Sequence, residues 1–96
     1  MFVKMLPLNW VSGMKAKQDT ARFRDYYIGI GIRISYFRKL RGYSQEQLAE
    51  RAGLSPGFLS QVEAPGMAVG VSLNTLFSIA EALDIPAYKL LQLDEP

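Results

Sequence analysis

The run Ser44-Gln-Glu-Gln-Leu-Ala-Glu-Arg-Ala-Gly-Leu-Ser-Pro-Gly-Phe-Leu-Ser-Gln-Val-Glu63 decides the fold. It reads as two short helices with a sharp turn between them. Ser44 is a good N-cap, and Gln47 three residues on completes a capping box. Leu48, Ala49 and Ala52 then recur on one helical face. Gly53 supplies the left-handed residue that stops the first helix. Ser55 caps the second, and Pro56 takes its first position, where a missing N–H costs nothing. Leu59 and Val62, three apart, give that helix its buried edge. Gly53-Leu54-Ser55 is too short for antiparallel packing, so the helices should cross steeply, as in a helix-turn-helix.

The run from Gln45 through Ser55, followed by Leu59-Ser-Gln-Val-Glu63, resembles the Cro/phage-repressor (Xre-like) helix-turn-helix family. The resemblance extends from about Ile30 to Leu91 and keeps the family's order of parts, with Arg38-Lys39 before Gly42 and Ser72-Leu73 opening a later helix. It implies an all-α, five-helix repressor-like DNA-binding domain whose helices 2 and 3 form the motif. We divide the chain into an N-terminal extension, 1–27, and the domain proper, 28–96.

Ninety-six residues suit one domain with one core. Apolar residues are 49% and charged residues 21%, a globular rather than a disordered balance. The chain has neither Cys nor His, which removes disulfides, thiolate nucleophiles, imidazole bases and nearly all common zinc sites. No metal or cofactor is implied, nor a membrane or small-molecule substrate. Net charge is only +2, but its layout is lopsided. Residues 1–41 hold nine Lys/Arg against Asp19 and Asp25, a net of +7, whereas residues 42–96 hold Arg51 and Lys89 against seven acids, a net of −5. Such asymmetry points to a polyanionic partner on one side.

Met1 to Gly13 is apolar, with Phe2, Val3, Met5, Leu6, Leu8, Trp10 and Val11. Pro7 and Asn9 break it, no small-x-small cleavage pattern follows, and it is far below the ~20 residues that span a bilayer. It reads as an extension, or as sequence ahead of a true start at Met14, and a cytoplasmic protein is expected. Lys15 to Tyr27 is basic with interleaved aromatics and is either a short helix or an arm that follows DNA.

The first helix of the domain is expected from about Ile30 to Arg41, with Ile30, Ile34 and Phe37 toward the core. A second stripe, Ile32, Tyr36 and Leu40, follows at i, i+4 and i+8. One small domain does not need two apolar faces on this helix. The matching positions are usually polar in the family. Either the N-terminal extension or a second subunit should cover the stripe. Gly29-Ile-Gly31 lacks the strand and third glycine of a nucleotide-binding loop.

Residues 64–71 read as a loop. Ser72 should cap a helix with Leu73, Leu76, Phe77, Ala80 and Leu83 on its apolar face, and a last helix should run from about Ala87 to Leu91. Tyr88 and Leu90 belong either to the core or to a homodimer contact.

The resemblance places the second helix of the motif in the DNA major groove. On that basis Gln45 donates to a phosphate, while Ser55, Pro56, Gly57, Phe58, Ser60 and Gln61 occupy groove-facing positions, with Lys39 and Arg41 as nearby cations. Gln61 can read adenine. Arg38 and Glu63 match a structural ion pair that orients the recognition helix. One departure from the family matters: residues 52–88 contain no Lys or Arg, and the loop after Glu63 is Ala64-Pro-Gly-Met-Ala-Val69. Affinity for DNA comes largely from neutralised phosphates. The resemblance implies a homodimeric, sequence-specific transcriptional regulator on a palindromic operator, and the bare loop keeps open the alternative of a helix-turn-helix domain turned to protein–protein contact. Glu46, Glu50 and Glu63 have no nucleophile or metal cluster beside them, so an enzyme is not expected.

Overall fold

The computed structural model describes residues 19–93 of the chain. In order, they form α1 (Asp19–Arg22), α2 (Arg24–Leu40), α3 (Gln45–Ala52), α4 (Pro56–Glu63), α5 (Leu73–Leu83) and a single 3₁₀ turn (Ala87–Leu90). Among the described residues there is no strand, and the fold is all-α.

Local chemistry sets most helix ends. At α3, Gln47 N donates to Ser44 Oγ at 3.0 Å, and Ser44 N donates to Gln47 Oε1 at 2.8 Å, closing the capping box. Gly53 ends the helix in the left-handed region at φ 72°, where a side chain would be strained. Ser55 and Ser72 cap α4 and α5 by accepting from Phe58 N and Thr75 N, both at 3.1 Å.

The core sits where α2, α3, α4, α5 and the 3₁₀ turn meet, and Ile34, Leu48, Leu59, Ile79, Leu83 and Leu90 are its fully buried side chains. Tyr27 and Phe37 pack against it from α2, and Leu93 joins them from the C-terminal end.

Several elements differ from the sequence expectation. The long helix starts at Arg24 rather than near Ile30 and passes through residues 27 and 28 without a break. Tyr27, which packs on the core, gives this added turn a reason to form. The basic run from Asp19 onward is therefore helical. The expected fifth helix is one 3₁₀ turn, with no side-chain cap at its start and only Leu90 of its four residues buried to hold it. On α5 the buried residues are Leu76, Ile79, Ala80 and Leu83, whereas Leu73 and Phe77 are exposed. Ile32, Tyr36 and Leu40 are 51%, 58% and 63% exposed, so no described residue covers the second stripe of α2. The apolar Met1–Gly13 stretch lies outside the described residues.

Candidate nucleic-acid interface

The motif is held from behind by a polar cluster at the end of α4. Arg38 donates to Glu63 through two nitrogens, Nε to Oε2 at 2.8 Å and Nη2 to Oε1 at 2.9 Å. Its third nitrogen, Nη1, donates to the Tyr43 carbonyl at 2.8 Å. The side chains of Arg38 and Glu63 are 11% and 4% exposed, so this is a bidentate pair shielded from water. Gln45 joins it by donating Nε2 to Glu63 Oε1 at 3.0 Å. Three helices are tied at one point: α2 through Arg38, α3 through Gln45 and α4 through Glu63. The Gln45 amide has a second N–H, which the Glu63 bond leaves available and pre-oriented.

Backbone packing makes the same junction tight. A Cβ added to Gly31 would lie 2.0 Å from the Val62 carbonyl oxygen. The absent side chain lets α2 and the last turn of α4 touch backbone to backbone, and sequence reasoning passed over this residue as a failed nucleotide motif.

On the outer side of α4, Ser55, Pro56, Gly57, Ser60 and Gln61 are exposed. Phe58 is half-buried and packs on the core, so only part of its ring is available for groove contact. A largely polar hollow of about 380 Å³ lies beside the helix, lined by Ser35, Lys39, Gln45 and Ser60 together with the Arg38–Glu63 pair, Ala64 and Pro65. Ser35 was not foreseen; it stands four residues before Lys39, on the same side of α2.

The cations are used unevenly. Lys39 is exposed at the hollow. Arg41 turns away from it, donating Nε to Leu83 O at 2.7 Å and Nη2 to Asp84 O at 3.0 Å, which caps the C-terminal end of α5. Arg51 lies over the Tyr43 ring with its Cζ 4.6 Å from the centroid. Among the described residues no group of His, Cys, Asp and Glu could hold a metal ion.

A family model for the helix-turn-helix matches residues 34–90, more than half of the chain, from the second half of α2 to the 3₁₀ turn. The chain belongs to the Cro/phage-repressor (Xre-like) helix-turn-helix family. The HTH-type transcriptional regulators SinR of Bacillus subtilis (strain 168) and of Bacillus licheniformis are each 37% identical over 62 residues, which is 65% of this chain and 55% of theirs. This Xre-like chain thus spans about half the length of the curated relatives it matches. Among solved structures it is similar to the restriction-modification controller protein C.AhdI from Aeromonas hydrophila, with TM-score 0.62 and 34% identity over 67% of this chain and 94% of that one. It is also similar to the hypothetical transcription factor NHTF from Neisseria, with TM-score 0.66 and 31% identity over 73% and 78%. No described helix is long and apolar enough to cross a membrane.

Proposed function

We propose that this chain is a cytoplasmic transcriptional regulator that binds duplex DNA as a homodimer, reading a roughly two-fold symmetric operator through α4 and acting by occupancy rather than catalysis. The observation that carries this reading is the exposed row Ser55, Pro56, Gly57, Ser60 and Gln61 on a helix anchored from behind by the Arg38–Glu63–Gln45 cluster. A helix that enters a groove must present small and polar side chains outward while its angle is fixed by the body of the domain. Gln61 has the paired donor and acceptor that match adenine, and Ser55 and Ser60 are short enough to let α4 approach the bases. Lys39, the second N–H of Gln45 and the hydroxyls of Ser35 and Ser60 form a seat for a backbone phosphate. The kinship with SinR and C.AhdI supports the same reading.

A specific observation favours the protein–protein alternative. Residues 52–88 carry no Lys or Arg, and Arg38, Arg41 and Arg51 are engaged by Glu63, by α5 and by Tyr43. Few cations remain near α4 for phosphate. Anisotropy titration of the full chain, and of a form lacking residues 1–17, against a random-sequence duplex across a salt series separates the two. DNA binding with a salt slope of about 0.9 per phosphate neutralised, weakened and flattened by the truncation, supports the regulator. Absence of binding by either form at low salt refutes it and favours the alternative.

A further inference from the structure

Gly29 and Gly31 stand two residues apart on α2, about 200° around the helix and about 3 Å along it. They therefore face nearly opposite sides at one level. On the Gly31 side lies the Val62 carbonyl of α4, only 2.0 Å from where a Cβ would be. On the Gly29 side lies Leu93, whose Cδ2 would be 3.2 Å from an added Cβ. At this level α2 is held between the end of the recognition helix and the C-terminal segment, and each neighbour comes close because a glycine faces it.

The segment that carries Leu93 is itself anchored. Leu90 is fully buried, and the chain after the 3₁₀ turn bends back through two backbone bonds, Leu91 N to Tyr88 O and Leu93 N to Leu91 O, both at 2.9 Å. Arg33 Nε donates to the Gln92 carbonyl. Arg33 comes four residues after Gly29, so this bond and Leu93 grip the same side of α2. Leu93 is half-buried and packs on the core, and with Leu91 it lines one apolar groove against Tyr26 and Ile30.

We propose that residues 91–93 form a strap that presses α2 onto the end of α4. Leu93 and Arg33 are then positioning residues for DNA recognition, although both act from the side of α2 away from α4. The inference rests on the DNA reading above and adds to it a control point remote from the groove. The contact at Gly31 is main chain against main chain, so it resists compression. It has no side-chain ridge seated in a groove, so it resists separation weakly. The ties that do resist it, from Arg38 to Glu63, start about 10 Å further along α2. A helix tied at one end of a contact and abutting at the other can pivot, and the strap opposes that pivot at the level where it would open. An opening of about 1 Å at Gly31 turns the two helices by about 5°, which moves the far end of the roughly 12 Å long α4 by about 1 Å. That exceeds the window of about 0.5 Å within which a hydrogen bond to a base keeps its strength. A partner or modification that lifts Leu93 therefore weakens base reading while the core stays folded.

The test sets Leu93→Ala in the full chain against Ile85→Ala, which trims another half-buried residue packed on the core. The probes are the duplex most enriched by the wild-type chain from a random pool and the unselected pool itself, with circular dichroism as the fold control. Leu93→Ala should lower affinity for the selected duplex about tenfold, the worth of one base contact moved out of reach. Affinity for the pool, carried by phosphates, should change by less than about twofold. Amide exchange should quicken in the last turn of α4. Ile85→Ala should lower Tm but leave the ratio of the two affinities and the α4 exchange as in the wild type, and Leu93→Met, which keeps the volume, should restore both. An unchanged ratio in Leu93→Ala overturns the proposal, and so does an equal loss in Ile85→Ala. If Leu93→Ala does not fold, Arg33→Met, which keeps the stem and loses the bond to Gln92, takes its place under the same criteria. If no duplex is enriched, the DNA reading fails and exchange decides the strap: faster exchange at Gln61–Glu63 in Leu93→Ala alone supports it, and equal rates in both variants overturn it.

Discussion

Replacing Gly31 by Ala probes the junction that sets the angle of α4. The new Cβ would sit 2.0 Å from the Val62 carbonyl oxygen and 3.1 Å from its carbon. Carbon–oxygen contacts settle near about 3.3 Å, so the two backbones must part by about 1.3 Å at their crossing. No flexible side chain can absorb this, because the obstacle is main chain. Overfilling a packed site of this kind costs about 1–3 kcal/mol, and opening the crossing also loosens Ile34 and Val62. Ala is the better helix former by about 0.8–1 kcal/mol, which offsets part of the loss. A net destabilisation of about 1 kcal/mol is expected, or about 4–8 °C in Tm for a domain of this size. The matched control is Gly57→Ala on α4, where an added Cβ meets nothing within 4 Å and the propensity gain stands alone. Thermal and urea unfolding of both variants makes the measurement. A Gly31→Ala protein as stable as the wild type, or more so, refutes the argument that backbone contact at this glycine seats the recognition helix.

Truncating either side of the ion pair, Arg38→Ala or Glu63→Ala, strands a shielded charge and should cost about 3–5 kcal/mol in urea unfolding, whereas Arg38→Met with Glu63→Leu together should recover most of it. Arg41→Ala removes the cation that donates to Leu83 O and Asp84 O; the site is partly open to water, so a loss of about 1 kcal/mol is expected, with faster amide exchange in the last turn of α5. Asp84 holds φ 59° at the end of α5, a left-handed conformation, and sets an acid at the negative end of the helix. Asp84→Gly relieves both and should raise stability by about 1 kcal/mol, read as a higher urea midpoint at unchanged m.

Local chemistry made the helix-turn-helix readable before any coordinates. A cap acts over three residues, so Ser44 with Gln47, Ser55 with Pro56, and Ser72 mark their helix starts without help from the rest of the chain, and Gly53 marks a stop in the same way. The buried edge formed by Leu48, Ala49, Leu59 and Val62 was legible too, since helical periodicity is a property of neighbouring residues. What lay beyond the sequence depends on groups far apart in the chain. Tyr27 extends α2 because a core exists for it to pack on. Leu73 and Phe77 share the apolar period of α5 with Leu76 and Leu83, and only the placement of that helix leaves them in water. Arg41 has the look of a DNA-facing cation, yet it finds two free carbonyls 42 and 43 residues away at the end of α5. Gly31 looked like part of a failed loop motif, and its role exists only because α4 crosses α2 there. The physical reason is range: caps and periodicity are set by bonds and rotations within a turn or two, while contact partners are set by how finished helices stack.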